Sequence, residues 1–133
     1  MKFFGISILL FLPMCLFAQQ MPDSGLEQEK KVREAVDQQV ETLTRNLGLD
    51  DWQVFYVDSI LTHDLTALSE EFASLKESKV GNMDIYQQTQ DKWMEQIYAS
   101  FEKVFDKTQW SKYLKSGASR DKKARDKRAA KKK

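Results

Sequence analysis

Few side chains in this chain of 133 residues could do chemistry. His63 is the single histidine and stands beside Asp64, and the single cysteine is Cys15. A histidine together with carboxylates such as Asp58 or Glu70 could ligate zinc or nickel at a helix end. Adjacent residues of a helix point in different directions, so His63 and Asp64 cannot both face one enclosed ion. We therefore expect His63 to be an ordinary exposed or interface histidine, and a metal-binding sensor around His63 is the alternative.

The rest of the sequence gives no support for catalysis. It has no glycine-rich phosphate loop and no serine nucleophile motif. Carboxylate pairs such as Glu70-Glu71 are typical of the solvated face of an amphipathic helix. Met83 and Met94 are too far apart for a copper site and are interpreted as packing residues. We expect a protein that is not an enzyme and that needs no cofactor.

Apolar residues recur every three or four positions along most of the chain, which predicts an all-α fold of about four helices. The first helix runs from about Ser24 to Gly48, and the second has a stripe with a partly seven-residue spacing, which favours a partner helix. A third helix is predicted to begin with the capping pair Asp84 and Gln87, and a short fourth follows Asp106. The stripes of the first three helices are Val32, Val36, Val40, Leu43 and Leu47; Val54, Val57, Leu61, Leu65, Leu68, Phe72 and Leu75; and Tyr86, Trp93, Ile97, Phe101 and Val104.

One five-residue pattern occurs twice, as Leu49-Asp50-Asp51-Trp52-Gln53 and as Phe105-Asp106-Lys107-Thr108-Gln109. In each copy the aspartate can cap a helix, and the glutamine three residues later can reach back to the N–H of the cap, which forms a capping box. The apolar residue before the cap is placed for a hydrophobic staple with Val54 in the first copy and Trp110 in the second. The two pentapeptides therefore predict two helix starts.

The two pentapeptides resemble the LTxxQ motif of the Spy/CpxP-like family of periplasmic proteins, with aspartate in place of the usual threonine. The resemblance covers roughly residues 25–117, because two helix-opening motifs 56 residues apart match the family layout. It implies an elongated hairpin of about four helices that dimerises into a curved cradle and holds partly folded polypeptides without ATP. The expected function is that of a chaperone or envelope-stress accessory protein. The expected partners are a second copy of the chain and partly unfolded envelope proteins.

Six apolar or aromatic side chains lie off the main helix stripes or at their edges, and these are the candidate client-binding residues. A chaperone of this kind needs exposed apolar surface bordered by charge, and aromatic rings supply contact area at a low cost in side-chain entropy. The alternative is that the same residues complete a wider bundle core. The six are Trp52, Phe55, Tyr56, Ile60, Tyr98 and Trp110.

The N-terminus has the pattern of an export signal. Lys2 precedes an apolar stretch over residues 3–17, and Ala18 stands where a signal peptidase would cleave. The stretch is short for a membrane span and is interrupted by Pro13, and the residues before Cys15 are not those of a lipoprotein signal. We therefore expect a cleaved signal peptide and a periplasmic protein without disulfides. A membrane anchor and a lipoprotein are the alternatives.

Charge divides the remaining chain into two unlike parts. Residues 19–117, the expected helical domain, carry eleven Lys/Arg and eighteen Asp/Glu, whereas residues 118–133 carry nine Lys/Arg and two Asp/Glu. The basic segment has no apolar stripe, so we expect a flexible, solvated tail, with a frayed extension of the fourth helix as the alternative. Its role is left open between a solubility tail, an arm for an anionic membrane or polymer surface or an acidic client, and a brake on the acidic domain. Nucleic acid is not an expected partner, because the tail lacks aromatic residues to stack on bases.

Overall fold

The computed structural model describes residues 25–131, which form an all-α structure without strands, as the sequence predicts. The predicted signal peptide, residues 1–18, lies outside the described residues. The helices are α1 (Gly25–Leu47), α2 (Asp51–Glu77), α3 (Met83–Val104), α4 (Lys107–Tyr113) and α5 (Ser119–Lys131), with a kinked segment at Leu114–Ala118 before α5. Within residues 25–131 no helix is both long enough and apolar enough to cross a membrane.

The hydrophobic core is built along α2, which packs against both α1 and α3. Its buried apolar residues repeat every three or four positions, so they form one stripe along the helix. Each such side chain contributes about 1.5–3 kcal/mol when it is fully buried. The buried apolar residues of these three helices are Val57, Leu61, Leu65, Leu68 and Phe72 of α2, Val32, Val36, Leu43 and Leu47 of α1, and Ile97 and Phe101 of α3.

Helix α1 ends where the sequence predicts. Gly48 follows the helix with a φ of 65°, a left-handed conformation that a residue without a Cβ adopts at little cost. The N–H of Gly48 donates to the carbonyl oxygen of Thr44 at 2.9 Å. This turn redirects the chain into the first pentapeptide and so into α2.

Helix α3 begins earlier than the sequence predicts. Its N-cap is Asn82, whose side-chain oxygen accepts from the N–H of Asp84 at 2.9 Å. The predicted capping pair of Asp84 and Gln87 is therefore wrong, because Asn82 already satisfies the first turn. Gln87 instead donates to the carboxylate of Asp91 one turn later, at 3.0 Å.

Helix α5 occupies most of the segment that the sequence predicts to be a flexible tail, residues 118–133. The chain leaves α4 through a kink, in which Gly117 has a φ of 128° that favours glycine. It then continues as a regular helix that packs on α3. The difference arises because α5 docks through charged groups, which an analysis of apolar periodicity does not detect.

Candidate functional site

The two copies of the repeated pentapeptide meet through their glutamines. Gln53 and Gln109 are both buried, and their side-chain amides bond to each other in both directions. Nε2 of Gln53 donates to Oε1 of Gln109 at 2.6 Å, and Nε2 of Gln109 donates to Oε1 of Gln53 at 3.1 Å. We call these two residues the glutamine pair. It joins the start of α2 to the start of α4.

Each member of the glutamine pair also completes the capping box of its own helix. The N–H of Asp50 donates to Oε1 of Gln53 at 2.9 Å, and the N–H of Asp106 donates to Oε1 of Gln109 at 3.0 Å. Both predicted capping boxes are present. The repeat therefore positions two helix starts and two buried amides with the same residues.

The remaining N–H group of each amide donates to a carbonyl oxygen directly before the other copy of the pentapeptide. Nε2 of Gln53 donates to the carbonyl oxygen of Val104 at 3.0 Å, and Nε2 of Gln109 donates to that of Gly48 at 3.4 Å. Each acceptor belongs to the residue directly before the opposite pentapeptide. Both amides thus use two donors and two acceptor positions, which is what a buried amide requires to avoid a desolvation penalty.

The apolar residues of the pentapeptides lie next to the glutamine pair in the core. Leu49 and Phe105 are buried, and their predicted staple partners Val54 and Trp110 are half-buried against the same core. Phe105 contacts the ring of Tyr113, with 5.6 Å between ring centroids. The pentapeptides are therefore structural elements, and they hold the first turn of α2 in place.

The first turns of α2 present three exposed aromatic side chains. Trp52, Phe55 and Tyr56 are 55%, 67% and 51% exposed. Tyr56 contacts both others edge-on, at ring-centroid distances of 6.1 Å to Trp52 and 5.6 Å to Phe55. Their spacing of three and four residues places them on one side of the helix. We call these three residues the aromatic face. A contiguous exposed apolar surface of this kind is typical of an interaction site.

The other three predicted client-binding residues lie elsewhere. Ile60 is half-buried against the core. Tyr98 contacts Trp110 edge-on at 4.9 Å between centroids, and the cations of Lys122 and Arg125 lie over its ring at 5.7 Å and 5.5 Å. For Ile60 and Trp110 the alternative of a wider core describes their position, and Tyr98 is covered by Trp110 of α4 and by two cations of α5.

The candidate metal ligand His63 lies on the surface of α2. Its side chain is 77% exposed, and its Nδ1 lies 2.7 Å from Oδ1 of the buried Asp64. Asp58, a predicted co-ligand, bonds to Arg33 of α1 at 2.8 Å. Within residues 25–131, no group of three or more histidine, cysteine, aspartate or glutamate side chains is arranged to hold a metal ion.

Helix α5 is held on α3 by charged pairs. Glu95 accepts from Lys122 at 2.5 Å and from Nε of Arg125 at 3.0 Å, and Asp91 accepts from two nitrogens of Arg128 at 2.7 Å and 2.8 Å. Burial alone would raise the pKa of Glu95, but the hydrogen bonds from Lys122 and Arg125 outweigh it and lower that pKa. Contact of the basic segment with the acidic domain was one of the alternatives left open, but the residues that make this docking were not predicted. The sequence contained one signal for this docking, which is that the carboxylates of α3 and the basic segment carry opposite charges.

Comparisons of the chain with protein-family models, with curated proteins and with solved structures give no match. The resemblance of the two pentapeptides to the LTxxQ motif therefore stays a prediction. The features of the described residues that bear on function are the aromatic face, the glutamine pair that supports it, and the docked helix α5.

Proposed function

We propose that this protein is a periplasmic chaperone that binds partly unfolded polypeptides without ATP, through the aromatic face. The observation that carries the proposal is the exposure of Trp52, Phe55 and Tyr56 side by side on α2. A folded protein gains nothing from leaving three adjacent rings in water, since burying them against apolar groups is favourable. Their exposure is accounted for by a partner with apolar side chains.

The chemistry of the aromatic face suits clients without a fixed structure. Aromatic rings offer large contact areas with only two rotatable side-chain bonds, so little entropy is lost when they bind. They do not require a partner of one particular shape. Several weak contacts allow clients of different sequence to bind and dissociate. The surrounding charge of the helical domain keeps such a surface soluble.

The local structure supports this role by holding the aromatic face rigid. Trp52 lies one position before Gln53, and the glutamine pair fixes that position against the chain segment around Val104. Because the aromatic face lies on a rigid helix start, it loses little conformational entropy when a client binds. The resemblance to the Spy/CpxP-like family and the export signal support the periplasmic assignment. A second copy of the chain, as that resemblance implies, would double the number of aromatic contacts.

The experiment is aggregation of a reduced model client, followed by light scattering with residues 19–133 of the protein. The chain should suppress aggregation at about stoichiometric amounts. Phe55→Asp should need about thirtyfold more protein, because a charge replaces roughly 2 kcal/mol of apolar contact. The matched control is Met83→Asp, which changes an exposed apolar residue at the start of α3. It should behave as the unmodified chain does. Absence of suppression at several-fold excess, or full activity of Phe55→Asp, would overturn the proposal.

A further inference from the structure

A cavity of about 480 Å³ lies under α5, between that helix and α3. Its volume falls within the usual range of small-molecule sites, about 300–1,000 Å³. The apolar part of its lining comes from the core of the other helices, and half-buried aromatic rings and a methionine complete it. These lining residues are Leu43, Leu65, Met94, Ile97, Tyr98, Phe101 and Tyr113.

The charged part of the lining comes mainly from α5. Three arginines stand against two aspartates in the wall, and the arginines are Arg120, Arg125 and Arg128. Arg128 is paired with Asp91. The second aspartate is Asp121, whose pKa is raised because it is partly buried. Arg125 is paired with Glu95, which lies outside the lining, so the charged groups of the wall and their bonded partners balance.

Arg125 is the charged residue of the wall that is most enclosed. Its side chain is only 10% exposed, and its Nε donates to Glu95. Its Nη2 is buried and has no hydrogen-bond partner among the described residues. A buried donor of a charged group is costly when it is unpaired, and buried polar groups of native proteins usually have partners. An anionic oxygen is the partner that a guanidinium binds best.

We propose that this cavity binds a medium-chain fatty acid, with the acyl chain against the apolar lining and the carboxylate at Arg125. The apolar lining and the guanidinium of Arg125 match the two parts of such a molecule. A carboxylate carries one charge and can accept from a guanidinium in a fixed geometry. The site is separate from the aromatic face, so the proposal does not depend on the proposed function.

Fatty acid binding has a consequence for α5. The ligand would contact α3 and α5 at once and would add apolar contacts to a helix that is otherwise held by charged pairs. Because the ligand binds only the folded arrangement, it should raise the thermal stability of the protein with increasing concentration.

The test uses dodecanoate, a soluble fatty acid, titrated into residues 19–133 and followed by calorimetry. We expect saturable binding of one dodecanoate per chain. Dodecyltrimethylammonium, which has the same chain length and the opposite charge, should bind at least about tenfold more weakly. Equal binding of the two amphiphiles, or no saturable binding of dodecanoate, would overturn the proposal.

Variants locate the site. Arg125→Gln should weaken dodecanoate binding about tenfold or more. Lys127→Gln also removes one positive charge, but at an exposed position of α5, and it should leave the binding unchanged. Ala124→Phe adds a ring to the cavity wall and keeps every charge, so it should also abolish binding. Phe55→Asp should leave dodecanoate binding unchanged, because Phe55 does not line the cavity. Binding that survives both Arg125→Gln and Ala124→Phe, or that is lost in Phe55→Asp, would contradict the assignment to this cavity.

Discussion

Among single residues, Gln53 and Gln109 show how one side chain can serve two purposes. Each amide caps its own helix and bonds to the opposite copy of the pentapeptide. A glutamate would lose both donors, and an asparagine would be one methylene too short to reach the same partners. The capping boxes could be predicted from sequence, because they depend only on a three-residue spacing. The pairing could not, because it joins residues 56 positions apart and depends on the packing of the helices.

The glutamine pair makes a specific prediction for stability. Gln53→Met keeps the length of the side chain but leaves the amide of Gln109 buried with half of its partners gone. It should lower the free energy of unfolding in urea by about 2–4 kcal/mol. The double variant Gln53→Met/Gln109→Met removes both amides and should cost less than the sum of the two single variants.

The control for this measurement is Gln88→Met, at an exposed position of α3. It should change the free energy of unfolding by no more than about 0.5 kcal/mol. If the effects of Gln53→Met and Gln109→Met on the free energy of unfolding simply add in the double variant, the two amides do not depend on each other. That result would contradict the glutamine pair.

Among the helices, α5 is the one that sequence analysis did not predict. The buried stripes of α1, α2 and α3 follow helical periodicity, and so their existence and most of their ends could be read from the sequence. α5 has no buried apolar residue. Arg125 and Arg128 face α3 at helical spacing, but the pattern has meaning only once the carboxylates of Glu95 and Asp91 are known to lie opposite. Electrostatic docking requires the partner surface, which a single helix does not contain.

The docking of α5 predicts a pH dependence that belongs to Glu95. Its pKa in the folded protein is lowered from the ordinary value of 4.5, because hydrogen bonds from Lys122 and Arg125 outweigh the effect of burial. The ionised carboxylate therefore contributes stability above that ordinary value, and the contribution is lost as the pH falls through the lowered pKa. Burial raises the pKa of Asp121, so this residue has an effect of the opposite sign on the pH dependence of stability. Asp121 is present in the unmodified chain and in Glu95→Gln alike, so its effect cancels when the two proteins are compared.

The measurement is the free energy of urea unfolding from neutral pH down to about pH 3, for the unmodified chain and for Glu95→Gln. The unmodified chain should be the more stable of the two at neutral pH, and the difference should disappear towards the acidic end. The pair is partly exposed, so the difference should be small and should shrink in high salt. A difference that grows on acidification would contradict the docking of α5 through Glu95.

At the scale of the whole molecule, the structure combines an all-α core with an exposed aromatic surface at the start of α2. The sequence predicted the helices and six candidate contact residues, and three of these residues form the aromatic face. It could not separate them from Ile60, Tyr98 and Trp110, because a helical period does not show which side of a helix is covered by a neighbour. The fold of α4 and α5 makes that distinction.

The central claim is that the aromatic face contacts unfolded polypeptides, and fluorescence of Trp52 tests it most directly. In the variant Trp93→Phe/Trp110→Phe, Trp52 is the single tryptophan, and it is more than half exposed. A reduced client without tryptophan should shift the emission of Trp52 to shorter wavelength and protect it from a soluble quencher, because the client removes water from the ring. Suppression of client aggregation by this variant with an unchanged Trp52 emission would contradict the claim.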